Sequence, residues 1–502
     1  MLLIHPPCAK ATEPPAGIAR LAGALTAHGL PCRLWDANLE GQLWLLTQTT
    51  AVDTWTSRAR RRLPANLAAL RDRKTCAAPA RYAAAVRDLN RLLAVAGEPL
   101  GAEAGLADYR HAGLSPLRSA DLLQAAAEPE QNPFFPFFRQ RLEELLGGTA
   151  TVGISLNYLN QALCAFALAG LIRQLAPRVR ILLGGGLVGS WCSRPGWQSP
   201  FGDLVELLPG PGEGPLLALH GTAPAGGPPL PEYGSLRLDD YLSPGRVLPY
   251  SSAAGCWWNR CSFCPERAEG NPWRPIPPAT VLEQVKELVQ RHRPALLHLT
   301  DNALSPALLE QLATDPPGAP WYGFVRFCEQ LADPQFCRDL RAGGCVMLKL
   351  GLESGDQGVL ERLHKGINLQ QAARVLENLR AAGIAVYGYL LFGTPAEDEA
   401  AARRTLDFTV RHADCFGFLN LAIFNMPLFG PEADQHGTAP FYDGDLSLYT
   451  GFCHPTGWDR GKVRRFLERE FKRHPAIAPI LQRDPPFFTS NHAAFFSSAP
   501  VV

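Results

Sequence analysis

Six apolar runs recur between residues 247 and 423, at 247–251, 296–300, 321–327, 346–352, 385–392 and 416–423, and helical patterns separate most of them, as at 281–291 and 369–382. Each crossover is long enough to return the chain in its original direction, so the runs are expected to be parallel strands. Repeated strand and helix units of this kind close into a full or partial barrel, and barrel active sites form at the carboxyl ends of the strands. The chemistry of this chain is therefore to be sought in the loops that follow these runs.

The loop after the first run reads Gly-Cys-Trp-Trp-Asn-Arg-Cys-Ser-Phe-Cys at 255–264. Cys256, Cys261 and Cys264 offer three thiolates on one short segment, and the next histidine and cysteine, His292 and Cys328, lie well downstream. Thiolates are the usual ligands of iron–sulfur clusters, and an electron-transfer cubane takes four of them. Three would leave one iron open to a substrate. A zinc knuckle also uses closely spaced cysteines, but a structural zinc needs a fourth protein ligand, and its absence decides for the open cluster.

The chain has 502 residues, too many for one ordinary domain. Its 48 basic residues offset 47 acidic ones, so no charge excess marks a nucleic-acid partner. Basic runs at 58–62 and 462–465 read as solvated helix faces. Thirteen cysteines, an odd count with no secretory segment, suit a reducing compartment and metal chemistry better than a disulfide framework. The longest apolar stretch, at 162–172, is far below the ~18 residues a membrane span requires. A cytoplasmic protein without a membrane partner is expected.

The front half alternates in the same way. Residues 2–4 read as a strand, 18–28 as a helix ending at Gly29, and 32–36 as a second strand; the pattern resumes with strands at 152–156 and 181–183 around an apolar helix at 161–175. This predicts an open doubly wound parallel sheet, which binds ligands outside the carboxyl ends of its strands. Gly184, Gly185 and Gly186 follow one strand directly, Ser155 ends another, and the glycine-rich stretch around Glu213 ends a further one. Glycines there let a ligand approach the backbone, although such triplets also serve as plain turns. Residues 42–150 interrupt the sheet with Ala-, Leu- and Arg-rich helical sequence, and the phenylalanine-rich run at 133–138 reads as packing. Proline and glycine mark a linker at 222–231. The expected α/β organisation is a doubly wound domain at 1–221 with an insertion at 42–150, a linker at 222–240, a partial (β/α)6 barrel at 241–425 and a small extension at 426–502.

The cysteine loop resembles the radical S-adenosylmethionine (SAM) superfamily, in which three cysteines follow the first barrel strand with gaps of three and two residues and an aromatic residue before the last. Phe263 holds the aromatic position and the second gap is two residues; the first gap, filled by Trp257, Trp258, Asn259 and Arg260, is one residue longer. The front half resembles the cobalamin-binding domain of one large radical SAM class, through 4–7, 14–18, 153–157, the glycine triplet and Gly212-Glu213. It departs from the best-known aspartate, x, histidine, x, x, glycine motif: Asp36 and Gly41 have that spacing with Asn38 in the histidine position, but after the second strand, and the match is read as coincidence. His5 is read as a strand-end residue and not as a cobalt ligand.

The resemblance implies a 4Fe-4S cluster on Cys256, Cys261 and Cys264, with SAM beside it. Phe263, Asp301 and Asn302 at the second strand end, Arg326 on the third, Glu353 and Ser354 after the fourth, and Gly393 and Pro395 after the fifth are the residues it implies for SAM. For Glu353 and Arg326 the residues alone also allow a salt-bridged or ion-paired role. Ser155, Gly184, Gly185, Gly186 and Glu213 are those it implies for cobalamin. No catalytic side chain beyond the cofactors is implied. The expected activity is cleavage of SAM to a 5′-deoxyadenosyl radical and cobalamin-dependent methyl transfer to an unactivated carbon of a small-molecule or peptide substrate, with an electron donor such as flavodoxin or ferredoxin. Two readings stay open beside it: cyclisation, rearrangement or hydrogen abstraction without cobalamin, and a non-catalytic iron–sulfur sensor. A tRNA methylthiotransferase is weaker, since the front half has no obvious second cluster motif.

Overall fold

Five parallel strands form the first sheet: β1 (Leu2–His5), β2 (Arg33–Asp36), β3 (Thr151–Ser155), β4 (Arg180–Gly184) and β5 (Glu206–Leu208). The computed structural model describes residues 1–50, 52–224, 226–430, 432–486 and 488–497; Ala225 of the expected linker, Phe487 of the tail and residues 498–502 lie outside them. The strand order is β2-β1-β3-β4-β5, with every pair parallel. This is the doubly wound order that reverses between β1 and β3, and the reversal opens a crevice at their carboxyl ends. The helix Ala16–Ala27 joins β1 to β2 and stops where expected, at Gly29 with φ +69°. The helix Ala162–Leu175 is buried on every side from Ala162 to Ile172. Its outer face meets the insertion so closely that a Cβ on Gly170 would lie 1.8 Å from the Ala126 oxygen.

The insertion is helical as expected, with one addition, a hairpin of Ala102–Ala104 and Tyr109–His111. Phe134, Phe137 and Phe138 stack among Trp35, Trp44 and Tyr109, so the aromatic run packs.

The linker reading needs correction. From Leu230 onward the proline-rich segment lies on the first unit: a Cβ on Gly23 would meet the Leu230 oxygen at 1.9 Å, the Glu232 N–H donates to Ala19 O at 2.9 Å, and the Tyr241 hydroxyl donates to Asp36 at 2.6 Å. Proline removes N–H donors and stiffens the chain, which suits a strap as well as a spacer. The first compact unit therefore runs to Arg246 and also takes in Tyr442–Leu448, so the expected 426–502 extension is divided. Leu446 is fully buried there and its N–H donates to Leu117 O at 2.9 Å.

The second unit holds six parallel strands: β6 (Val247–Tyr250), β7 (Leu296–Leu299), β8 (Trp321–Val325), β9 (Cys345–Glu353), β10 (Ala385–Phe392) and β11 (Phe418–Ile423). Each pairs with the next in sequence, which makes the partial (β/α)6 barrel. Ser305, Asp333, Asp356, Asn368 and Asp398 each cap a following helix by accepting a backbone N–H, which fixes where the crossovers begin. One layer of the core contains a residue from every strand, namely Val247, Leu296, Tyr322, Met347, Tyr387 and Phe418, and Ala493 and Ala494 of the last helix pack on it. Among the described residues no helix is long and apolar enough to cross a membrane.

Candidate functional site

The cysteine loop leaves the carboxyl end of β6 and is braced by the loop that follows β7. Asp301, 2% exposed, accepts from the Ser252 N–H at 3.1 Å and the Ser252 hydroxyl at 2.7 Å. Asn302 donates to Gly255 O at 3.4 Å, and the Trp257 indole N–H donates to Leu304 O at 3.1 Å. Gly255 has φ +71°, and a Cβ there would lie 2.5 Å from Pro272 O, so only glycine lets the chain pass this close to Pro272. Asp301 and Asn302, expected to reach SAM, bond the segment that leads into the cysteine loop. Burial raises the Asp301 carboxyl, which the Ser252 bonds partly offset.

The two tryptophans explain how a four-residue gap fits. Trp258 donates to His364 O at 3.0 Å, and its ring occupies the place where a Cβ on Gly366 would stand, 2.2 Å from Cζ2. Asn259 takes the extra residue in a left-handed conformation, φ 41°, which asparagine tolerates better than most. Arg326 then enters from the end of β8: its guanidinium lies 4.3 Å from the Trp258 ring centre and 5.7 Å from that of Trp257, Nη1 is 3.8 Å from Cys261 Sγ, and Nη2 donates to Lys365 O. A buried arginine against a cysteine sulfur supplies positive charge where thiolates would gather.

Among the described residues no three His, Cys, Asp or Glu side chains already converge as a finished metal cage. The three cysteines nevertheless share one loop and one electrostatic field. Burial above all, with the charges of Cys261 and Cys256 adding to it, pushes the Cys264 thiol up to about 11. Three soft donors on one short loop, one of them against a buried cation, are the donor set of an iron–sulfur cluster. Phe263 wedges between two apolar clusters, one with Val359 and Leu363 and one with Phe424 and Met426, and so holds the loop down.

Glu353 ends β9 at a register shift, with φ +65°, and its Oε1 is 2.8 Å from Lys365 Nζ; the two side chains are 12% and 8% exposed. Gly351 leaves room for this pair, since a Cβ there would stand 2.5 Å from Glu353 Oε1. Lys365 was missed in sequence because nothing marks a lysine twelve residues beyond its carboxylate as that carboxylate's partner. Ser354 is fully buried, 3.1 Å from Thr405 Oγ1, and accepts from the Asp356 N–H at 3.1 Å. These bonds tie Ser354, expected beside SAM, to the helix that follows β10 and to the turn that follows β9.

After β10, Gly393 has φ +77° and donates its N–H to Glu397 Oε2 at 2.6 Å; Pro395 is half-buried in the same turn. Burial pushes the Glu397 carboxyl from its ordinary 4.5 up to about 7. The folded value lies above the unfolded one, so stability falls as pH rises from 4.5 to about 7, and the loss levels off beyond that at about 3 kcal/mol. Glu397→Gln cannot ionise and keeps an acceptor, so its stability advantage over the wild type is expected to grow between pH ~5 and ~8, as denaturant titrations at the two values would read.

In the first unit, His5 and Ser155 end β1 and β3, the strands that flank the crevice. Asn157 joins this end to the glycine triplet, donating to Ser155 Oγ at 3.0 Å and accepting from the Gly186 N–H at 3.1 Å. Gly185 has φ +108°, and a Cβ there would strike Leu156 O at 2.4 Å; Gly184 precedes it at the end of β4. Glu213 is held by Arg20 at 2.5 Å. Asn38 accepts from the Ala9 N–H and from Gln42, both at 2.8 Å, so it fixes the loop after β1 and is no histidine surrogate. Buried His5 Nδ1 and Thr12 Oγ1 have no hydrogen-bond partner among the described residues, and burial lowers the His5 imidazole toward its neutral form. A side-chain-free glycine turn beside orphaned buried polar atoms fits a large ligand with polar groups of its own.

Residues 250–409 match the Radical SAM superfamily. The barrel is a radical SAM domain. Over 269 residues the chain is 26% identical to an anaerobic magnesium-protoporphyrin IX monomethyl ester cyclase of Rubrivivax gelatinosus, covering 49% of this chain and 47% of that one. Over 193 residues it is 25% identical to an uncharacterized methyltransferase of Pyrococcus horikoshii, covering 36% and 40%. The chain thus spans about half or less of the length of these relatives. The radical SAM methyltransferase TsrM of Kitasatospora setae, solved with tryptophan substrate and a SAM analogue, has a similar fold: TM-score 0.55 at 16% identity, over 88% of this chain and 79% of that one. The radical SAM domain and the sheet before it are both α/β, as expected from sequence.

Proposed function

We propose that this protein is a radical SAM enzyme in which Cys256, Cys261 and Cys264 hold a 4Fe-4S cluster, and that it uses cobalamin in the first unit to methylate an unactivated carbon. The observation that carries this reading is three thiols on the loop after the first strand of a radical SAM barrel, with a buried arginine against one of them. When bound, the cluster supplies the electron that cleaves the carbon–sulfur bond of SAM to methionine and a 5′-deoxyadenosyl radical, and the corrinoid carries the methyl group. The chain's own residues orient and shield. Arg326 offsets the negative charge gathered at the thiols, and Trp257 and Trp258 cover that guanidinium and keep water from it. Glu353 and Lys365, paired at the rim, present a carboxylate and an ammonium suited to the ribose and methionine ends of SAM.

His5, Ser155 and the glycine triplet are the residues that would hold cobalamin, and the neutral imidazole of His5 offers its unpartnered nitrogen to a polar group of the corrin side chains. All thirteen cysteines are free, which supports a reducing compartment and a reductant such as flavodoxin or ferredoxin. The named cyclase among the relatives favours one second reading, ring formation without methyl transfer.

The test is the ultraviolet–visible spectrum of protein purified without oxygen, reconstituted with iron, sulfide and hydroxocobalamin, and freed of unbound cofactor. Corrinoid bands retained beside the cluster absorption are the expected result. Cluster bands alone would turn the assignment to hydrogen-abstraction chemistry without cobalamin.

A further inference from the structure

Residues 454–460, far from the cysteine loop in sequence, tie together two rim loops of the barrel. His454 Nε2 lies 2.8 Å from Thr394 O, which can only accept, so that nitrogen carries the hydrogen and Nδ1 is left to accept from the Thr456 and Trp458 N–H groups, each at 3.3 Å. The Trp458 indole N–H donates to Glu397 Oε2 at 3.0 Å, the same oxygen that takes the Gly393 N–H. Thr456 Oγ1 donates to Glu397 O at 3.4 Å. Arg460 reaches the next loop, donating to Phe424 O at 3.1 Å and Asn425 Oδ1 at 2.8 Å. Packing backs these bonds. Trp458 meets Phe466 edge to face at 5.8 Å, and Phe466 and Phe471 lie against Phe392, the last residue of β10.

A tail that merely covered the barrel would need apolar contact alone. This one places five directed hydrogen bonds on the backbone and side chains of the turns after β10 and β11, one of them to the Glu397 oxygen that also accepts the N–H of Gly393, a residue in a left-handed conformation. In the turn it grips, Glu397 Oε1 and Thr394 Oγ1 are buried with no hydrogen-bond partner among the described residues, a cost retained at the carboxyl rim, where barrels bind ligands.

We propose that residues 454–460 are a clamp that sets the SAM-binding geometry of the rim, with Trp458, His454 and Arg460 as positioning residues and Glu397 as the buried post they close on. The inference rests on the reading that SAM binds at this rim. Its test is the dissociation constant for SAM of the full-length, cluster-reconstituted protein, measured by equilibrium dialysis beside iron content and the unfolding midpoint. Trp458→Phe, which removes one donor and keeps the ring, and Arg460→Met are each expected to weaken SAM binding about fivefold to tenfold, with iron content and midpoint near wild type. Glu397→Ala is expected to do the same and Glu397→Gln to restore affinity, because the amide oxygen still accepts both N–H groups.

Unchanged affinity in Trp458→Phe and Arg460→Met would overturn the clamp while leaving SAM binding intact. Affinity that falls only in step with iron content or midpoint would overturn it too, as a purely structural effect. Failure of the cluster-loaded wild type to bind SAM would overturn the proposed function and the clamp with it.

Discussion

Cys261→Ala is expected to reduce the formation of 5′-deoxyadenosine from SAM to background. Cys261 is the most deeply placed of the three thiols, buried at 7% exposure, and Arg326 Nη1 stands 3.8 Å from its sulfur. Loss of one of only three thiolates leaves a cluster that cannot be held with a single open iron, and removes the anion that the buried guanidinium faces. Product is measured chromatographically after anaerobic reduction, beside the iron content. Cys453→Ala, an exposed cysteine, serves as the control and should retain near wild-type product. Substantial 5′-deoxyadenosine from Cys261→Ala would remove the central claim.

Lys365→Met is expected to give the largest loss of stability. It leaves Glu353, 12% exposed and in a left-handed backbone conformation, without its ammonium 2.8 Å away. Removing one partner of a buried pair typically costs about 3–5 kcal/mol, whereas replacing both is often close to neutral. Denaturant unfolding should therefore show a large drop for Lys365→Met and recovery of most of it in the Glu353→Gln, Lys365→Met double variant. A single variant as stable as the wild type would show that the pair is dispensable. The same lysine's backbone carbonyl, which the substitution retains, accepts from Arg326, so the loss reads the ion pair and not that bond.

Much of the fold was legible because parallel strands buried on both faces read as continuous apolar runs. All six barrel strands fall within a residue or two of the runs expected for them, and β1 to β4 likewise. The helix at Ala162–Leu175 was legible for the same reason, being apolar all round. The linker was misjudged because proline-rich composition describes chain stiffness and says nothing of what Leu230 and Tyr241 pack against.

At the candidate site, the cysteine loop could be read outright, since its chemistry and spacing lie within ten consecutive residues. The flanking residues could not be assigned so well. A position at a strand end does not say which way a side chain turns: Asp301 turns to Ser252, Ser354 to Thr405, Glu353 to Lys365. Longer-range partners leave no local trace, as when Trp458 closes on Glu397 from 61 positions away. Sequence by itself determined the parallel α/β architecture and the place of three closely spaced cysteines on a loop at a barrel rim, because periodicity and residue spacing are properties of short segments. Tertiary structure alone decided which rim carboxylates are bound into the scaffold, which cation faces the thiols and what holds the rim in shape, because those depend on side chains that meet only once distant segments are packed and water is excluded.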